Sequence, residues 1–136
     1  MLTKIKSIVA AIGILAGSTV LAHGENKPGP HQGYVRMPGA FHTEVVPAGD
    51  EFKVYLLDMG FRNPTVANSA VHAQVRKVDN GVAAADCTVT QDFFSCKLPK
   101  GTTLQNGTLE LKASRLGEPS IPVQYRLPLQ FSDIAH

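Results

Sequence analysis

Apolar residues in this chain fall on alternate positions, in short runs separated by turn signals. Within Glu51–Leu57, Phe52, Val54 and Leu56 share one parity; within Ser69–Lys77, Val71, Ala73 and Val75 do, with His72, Gln74 and Arg76 on the other. Pro47-Ala48-Gly49-Asp50, Asp58-Met59-Gly60 and Asp79-Asn80-Gly81 punctuate these runs. Phe41–Val46 precedes them. An Ala84–Leu98 hairpin follows, then Thr108–Ala113 with Leu109 and Leu111 inward, introduced by Asn106-Gly107 read as a hairpin turn. Last, Ile121, Val123, Tyr125, Leu127, Leu129 and Phe131 share one face. A side-chain period of two is that of a strand with one buried face, and no segment sustains a helical period. The pattern predicts an all-β fold: an immunoglobulin-like antiparallel β-sandwich of about seven strands. Pro122 and Pro128 lie on the opposite parity of the last run. Proline cannot donate to a ladder, so that strand is expected at an edge or bulged.

The two cysteines bracket the hairpin Cys87-Thr-Val-Thr-Gln-Asp-Phe-Phe-Ser-Cys96. With Gln91-Asp92 as a two-residue tip, Cys87 and Cys96 face each other directly, at the ~5.5 Å Cα separation that suits a disulfide. Closing so short a loop stabilises by about 2–3 kcal/mol. A redox-active dithiol would favour Cys-x-x-Cys. A copper thiolate would want a His and a Met soon after the cysteine, whereas Lys97-Leu98-Pro99 follows Cys96. A structural disulfide is the expectation.

Export accounts for the oxidised pair. Residues 1–22 read as a signal peptide: Lys4 and Lys6 precede an apolar stretch from Ile8 to Val20, and Val20-Leu21-Ala22 offers a cleavage site. That stretch is shorter than the ~20 residues a membrane span needs, so no stable membrane anchor is expected after cleavage. Periplasmic or secreted location follows. Cleavage after Ala22 leaves His23 as the N-terminus. Residues 23–40 carry Gly24, Gly29, Gly33, Gly39, Pro28, Pro30 and Pro38 and are expected as an irregular arm ahead of a 41–136 sandwich domain. Two of the thirteen basic residues lie in the leader, so eleven meet eleven acidic ones in the remainder. A neutral chain without a basic run gives no nucleic-acid footprint.

The segments Pro47-Ala-Gly-Asp-Glu-Phe-Lys-Val-Tyr-Leu-Leu-Asp58, Asn63-Pro64, Ser69-Ala-Val-His-Ala-Gln-Val75 and Gly107-Thr-Leu-Glu-Leu-Lys-Ala113 resemble the FixH/YtkA-like family of small exported β-sandwich domains. Separately, Lys27-Pro-Gly-Pro-His-Gln-Gly33 is similar to the K-P-G-P-H-G-G stretch of periplasmic heavy-metal efflux adaptors, with Gln32 in place of its first following glycine. These resemblances imply an envelope protein in copper or other heavy-metal handling, with an efflux or assembly protein as its partner.

The histidines make that concrete. His23, His31 and His42 lie within twenty residues, with Met37 among them. Imidazole suits copper, zinc and nickel, and a thioether selects Cu(I). A terminal His23 offers its α-amine and ring nitrogen to one ion; the amine titrates at about 7.7–8 and yields its proton to copper near neutrality. His31 or His42 would supply a third nitrogen, and Glu25 or Glu44 an oxygen. The same residues are equally the solvated histidines of a polar arm, and Met37 equally a buried thioether. Met59 is expected to pack, His72 to sit on a polar strand face, and His136 to be a terminal residue.

Catalytic signatures are missing: no Gly-x-Ser-x-Gly, phosphate loop or His-Glu-x-x-His occurs. Asp50, Glu51, Asp58 and Asp79 fall at turns, where Asx-type hydrogen bonds account for them. A terminal-His copper oxygenase would need more binding surface than 114 residues provide, so no enzyme is expected. The reading is a metal-binding protein, with copper in either oxidation state, that buffers or delivers the ion. The alternative is a non-metal interaction module docking through an edge strand, with Phe41, Phe61, Phe93 and Phe94 as an exposed apolar surface.

Overall fold

The computed structural model describes residues 27–131. The expected leader, His23, Glu25 and His136 lie outside them. Ten strands form: β1 (Tyr34–Arg36), β2 (His42–Ala48), β3 (Glu51–Leu57), β4 (Ala70–Arg76), β5 (Val82–Ala84), β6 (Asp86–Thr90), β7 (Phe93–Lys97), β8 (Gly107–Arg115), β9 (Glu118–Pro119) and β10 (Val123–Leu127). One sheet runs β1-β2-β3-β7-β6; the other runs β10-β8-β4-β5, with β9 paired to β8. Every pairing is antiparallel. With β2 taken as strand A, β2-β3-β7-β6 against β10-β8-β4-β5 follows the immunoglobulin orders A-B-E-D and G-F-C-C′. The all-β sandwich expected from the alternation is the fold.

The parity argument holds strand by strand. Phe52, Val54 and Leu56 of β3 meet Val71, Val75, Leu109, Leu111 and Tyr125 of the other sheet in one core. Burying each such side chain contributes about 1.5–3 kcal/mol. The buried Tyr125 hydroxyl pairs with Thr43 Oγ1 at 2.7 Å and also donates to the Thr43 carbonyl at 3.2 Å, bonding β10 across to β2. The aspartate turns behave as expected: Asp79 Oδ1 accepts from Gly81 N–H, and Asn80 adopts a φ of 73° between β4 and β5.

The cysteine hairpin has the expected register. Thr90 pairs Phe93 around Gln91-Asp92, and Cys87 pairs Cys96 in a disulfide. The Cα atoms are 3.9 Å apart, closer than expected. Counting from the closing pair makes Cys87–Cys96 a non-hydrogen-bonded position, where strands approach to ~4.5 Å rather than ~5.5 Å.

Four expectations need correction. Tyr34–Arg36, within the presumed irregular arm, is a strand paired to β2. The final run holds a ladder only over Val123–Leu127; Ile121 instead donates its N–H to the Pro38 carbonyl and is 67% exposed, and the strand is bounded by Pro122 and Pro128. It is an edge strand, as the prolines required. Asn106-Gly107 is no hairpin turn: it ends the crossing from β7 to β8, with Gly107 at a φ of 94° and its α-carbon against the Arg76 carbonyl, where a Cβ would not fit. Finally, Phe41, Phe93 and Phe94 are buried and Phe61 half-buried, so they make no exposed apolar surface.

Candidate metal-ligand site

The first sheet is buried on both faces over residues 42–45 of β2 and 54–57 of β3. One face meets the main core. The other carries His42, Glu44, Tyr55, Leu57 and Phe93, and it is covered by residues 27–33 and by the turn after β3. The cause lies in β3, where Val54-Tyr55-Leu56-Leu57 is apolar on both parities, a pattern that demands two covered faces.

Residues 27–33 close around one carboxylate. A tight turn bonds Gln32 N–H to the Gly29 carbonyl and Gly29 N–H to the Gly33 carbonyl, both at 2.9 Å. Gln32 has a φ of 65°, a left-handed conformation that glycine adopts without strain. Inside the turn, Glu44 is completely buried. Its Oε2 accepts the N–H groups of His31 at 2.8 Å and Gly33 at 2.9 Å; its Oε1 lies 2.8 Å from His31 Nδ1. There is no room for a Cβ at Gly29, which would come within 2.5 Å of Glu44 Oε2, or at Gly33, within 2.6 Å of the Val45 carbonyl.

The His31 ring lies flat on Tyr55, with centroids 3.7 Å apart and planes 5° from parallel. A carboxylate accepts, so Nδ1 is the nitrogen that donates to it and Nε2 is the ring nitrogen that Glu44 does not engage. The side chain is 33% exposed. His42 is arranged similarly: Nδ1 donates to the Asp58 carbonyl at 3.1 Å, and the ring stacks on Phe61 at 3.9 Å. Only 5% of His42 is exposed, because it is a strand residue under the turn rather than part of an arm.

The turn under His42 is organised by Asp58. Its Oδ1 accepts from Gly60 and Arg62 N–H at 2.9 and 2.8 Å, and its Oδ2 from Asn63 Nδ2 at 2.7 Å. The Arg62 and Asn63 hydrogen bonds hold the Asp58 carboxyl below its ordinary pKa. Burial, with Asp92 and Glu44 nearby, pushes the Tyr55 phenol up.

Among the expected ligands, then, His31 and His42 share the outer face of one sheet. Met37 is 51% exposed, one residue past the end of β1. Glu44, expected as an oxygen donor, is not available as one, since the clasp engages both its oxygens. Met59 is 52% exposed rather than packed, and His72 is exposed on β4 as expected. Among the described residues, no group of three His, Cys, Asp or Glu converges as a metal site.

What the sequence reading missed was Glu44 as an organiser. Its signal was the both-faces apolar run of β3, which implies a covering segment over the neighbouring β2 residues. Comparison of the chain with known protein families, characterised proteins and solved structures returns no match.

Proposed function

We propose that this protein binds copper in the periplasm or outside the cell and buffers the ion or delivers it to an efflux or assembly partner. The observation that carries the reading is the Glu44–His31 pair. A histidine whose Nδ1–H is held by a carboxylate, with its ring partly exposed, has the arrangement typical of metal-ligating histidines. His31 lies in the Lys27–Gly33 stretch that resembles heavy-metal efflux adaptors, and so supplies one imidazole nitrogen. His23, eight residues upstream, would add its amine and ring. His42 is a further nitrogen, with Nδ1 likewise engaged, and Met37 offers a thioether to Cu(I). The donor chemistry fits copper better than calcium or magnesium, which take oxygen ligands.

The clasp changes the character of the site from the solvated arm expected at first. His31 is an anchored ligand, and exchange would depend on whichever donor completes the set. Such a half-built site suits carriage more than turnover, in keeping with a non-enzymatic role.

Titration of the exported protein with Cu(II), followed by EPR, tests this reading. Stoichiometric binding with a nitrogen-rich spectrum is expected, weakened strongly by His31→Ala and unaffected by His72→Ala. One residue added before His23 should remove the contribution of the terminal amine. Equal, weak binding by all these proteins would refute the copper reading.

A further inference from the structure

We infer that Glu44 is a positioning residue: it holds His31 in the Nδ1–H tautomer, so that Nε2 alone is presented to an incoming metal. The inference rests on the copper reading and extends it to a residue that never touches the ion.

Three donors converge on this carboxylate: the backbone N–H groups of His31 and Gly33 on Oε2, and His31 Nδ1 on Oε1. A carboxylate has lone pairs for all three and no proton to offer. The backbone bond at His31 fixes where the residue sits, the side-chain bond fixes which nitrogen is protonated, and the Tyr55 stack fixes the plane of the ring. Tautomer, position and orientation are thus set before any ligand arrives, which lowers the ordering cost of binding. Glu44 is itself secured by complete burial in β2, so it cannot swing out to become a ligand.

Replacing Glu44 by glutamine keeps the shape and breaks the logic. An amide accepts through one oxygen and donates through its nitrogen, so it cannot satisfy donors on both sides. The side turned toward its NH₂ group faces a clash of donors, which His31 can relieve by shifting its proton to Nε2.

Long-range ¹H–¹⁵N correlation spectra of the ¹⁵N-histidine-labelled, metal-free exported protein report the tautomer directly. At a pH where the ring is neutral, the wild type should show Nδ1 protonated and Nε2 bare; Glu44→Gln should show a mixture or the reverse. Cu(II) affinity should fall by about tenfold or more in Glu44→Gln, the loss typical when a carboxylate behind a metal-binding histidine is removed. The wild-type tautomer requires no variant, and Glu44→Asp, which retains the charge but shortens the reach, serves if Glu44→Gln does not fold. A bare Nδ1 in the wild type would overturn the inference. So would unchanged copper affinity in a folded Glu44→Gln protein whose His31→Ala counterpart has lost it. If wild type and His31→Ala bind copper equally weakly, the copper reading itself fails and Glu44 keeps only a structural role; if they bind it equally tightly, His31 is no ligand and the inference is overturned.

Discussion

The two sheets of the sandwich share one core but present very different outer surfaces. That of the first sheet is roofed over part of β2 and β3: residues 27–33 cover Glu44 and Tyr55, Phe61 covers His42, and Leu57 is fully buried. That of the second sheet is open, with His72, Lys112, Gln124 and Arg126 exposed on it. Both surfaces carry histidine on a strand, yet among the described residues hydrogen bonds fix the ring only on the roofed side. A histidine that a fold can use as a defined ligand therefore needs burial behind it and polar partners beside it, and a place on the sheet supplies neither.

The sharpest way to break this comparison is Leu57→Ala. If the roofed face is a second core, the substitution costs about 2–5 kcal/mol, as in any buried site. A cost near zero in a denaturant titration would mean that the roof does not exclude water. Removing the disulfide with Cys87→Ala and Cys96→Ala together should cost about 2–3 kcal/mol, while leaving the His31 and His42 resonances in place, because the bridge lies on the inner side of the sheet. Gly33→Ala should cost about 1–3 kcal/mol through overpacking and should disturb the His31 environment, since its Cβ would meet the Val45 carbonyl.

Acid acts on both sides alike, and more gently. Asp58 at the edge of the roof and Glu110 on the bare sheet both have pKa values below their ordinary 3.8 and 4.5, Glu110 through its Arg76 and Gln74 hydrogen bonds. A carboxylate with a lowered folded pKa contributes its stability in full above the unfolded value and loses it as pH falls through the folded one. Thermal stability should therefore hold down to about pH 5 and decline below it. Glu110→Gln should reduce the acid-side slope, and an unchanged slope would discount that pairing. The smallest effect is expected from Lys112→Ala on the bare sheet, within about 0.5 kcal/mol by the same denaturant titration.

Much of this architecture was legible in the sequence, but unevenly. Alternation located β4 and β8 because each has one dry and one wet side, and the Cys87–Cys96 spacing marked the hairpin register. The final strand was overdrawn because parity carries no information about where a proline stops the ladder. β1 was overlooked because three residues, Tyr34-Val35-Arg36, are too few to show a period. In His42-Thr43-Glu44-Val45 the reading failed for another reason: polar residues at alternate positions look like a solvent-facing side, yet all four are buried. What hides them is a segment distant in sequence, and only the doubly apolar Val54-Tyr55-Leu56-Leu57 hinted that something must. His31 and His42 could be singled out by residue type; their tautomers could not, since these depend on Glu44 and on the Asp58 carbonyl.

The clasp also leaves a mark that can be searched for. Glycine at 29 and 33, histidine at 31 and an acid thirteen residues beyond that histidine are four demands of one small object: two absent side chains, one ring and one carboxylate. Any chain that builds the same object has to spell Gly-x-His-x-Gly at its start and place a glutamate on the second strand after it, at a distance set by the intervening strand and loop. The doubly apolar strand that follows completes the spelling. Distant relatives with little overall similarity would thus be recognisable from a handful of positions, and a relative that kept the glycines and the acid but replaced the histidine would have retained the roof while abandoning the stacked imidazole.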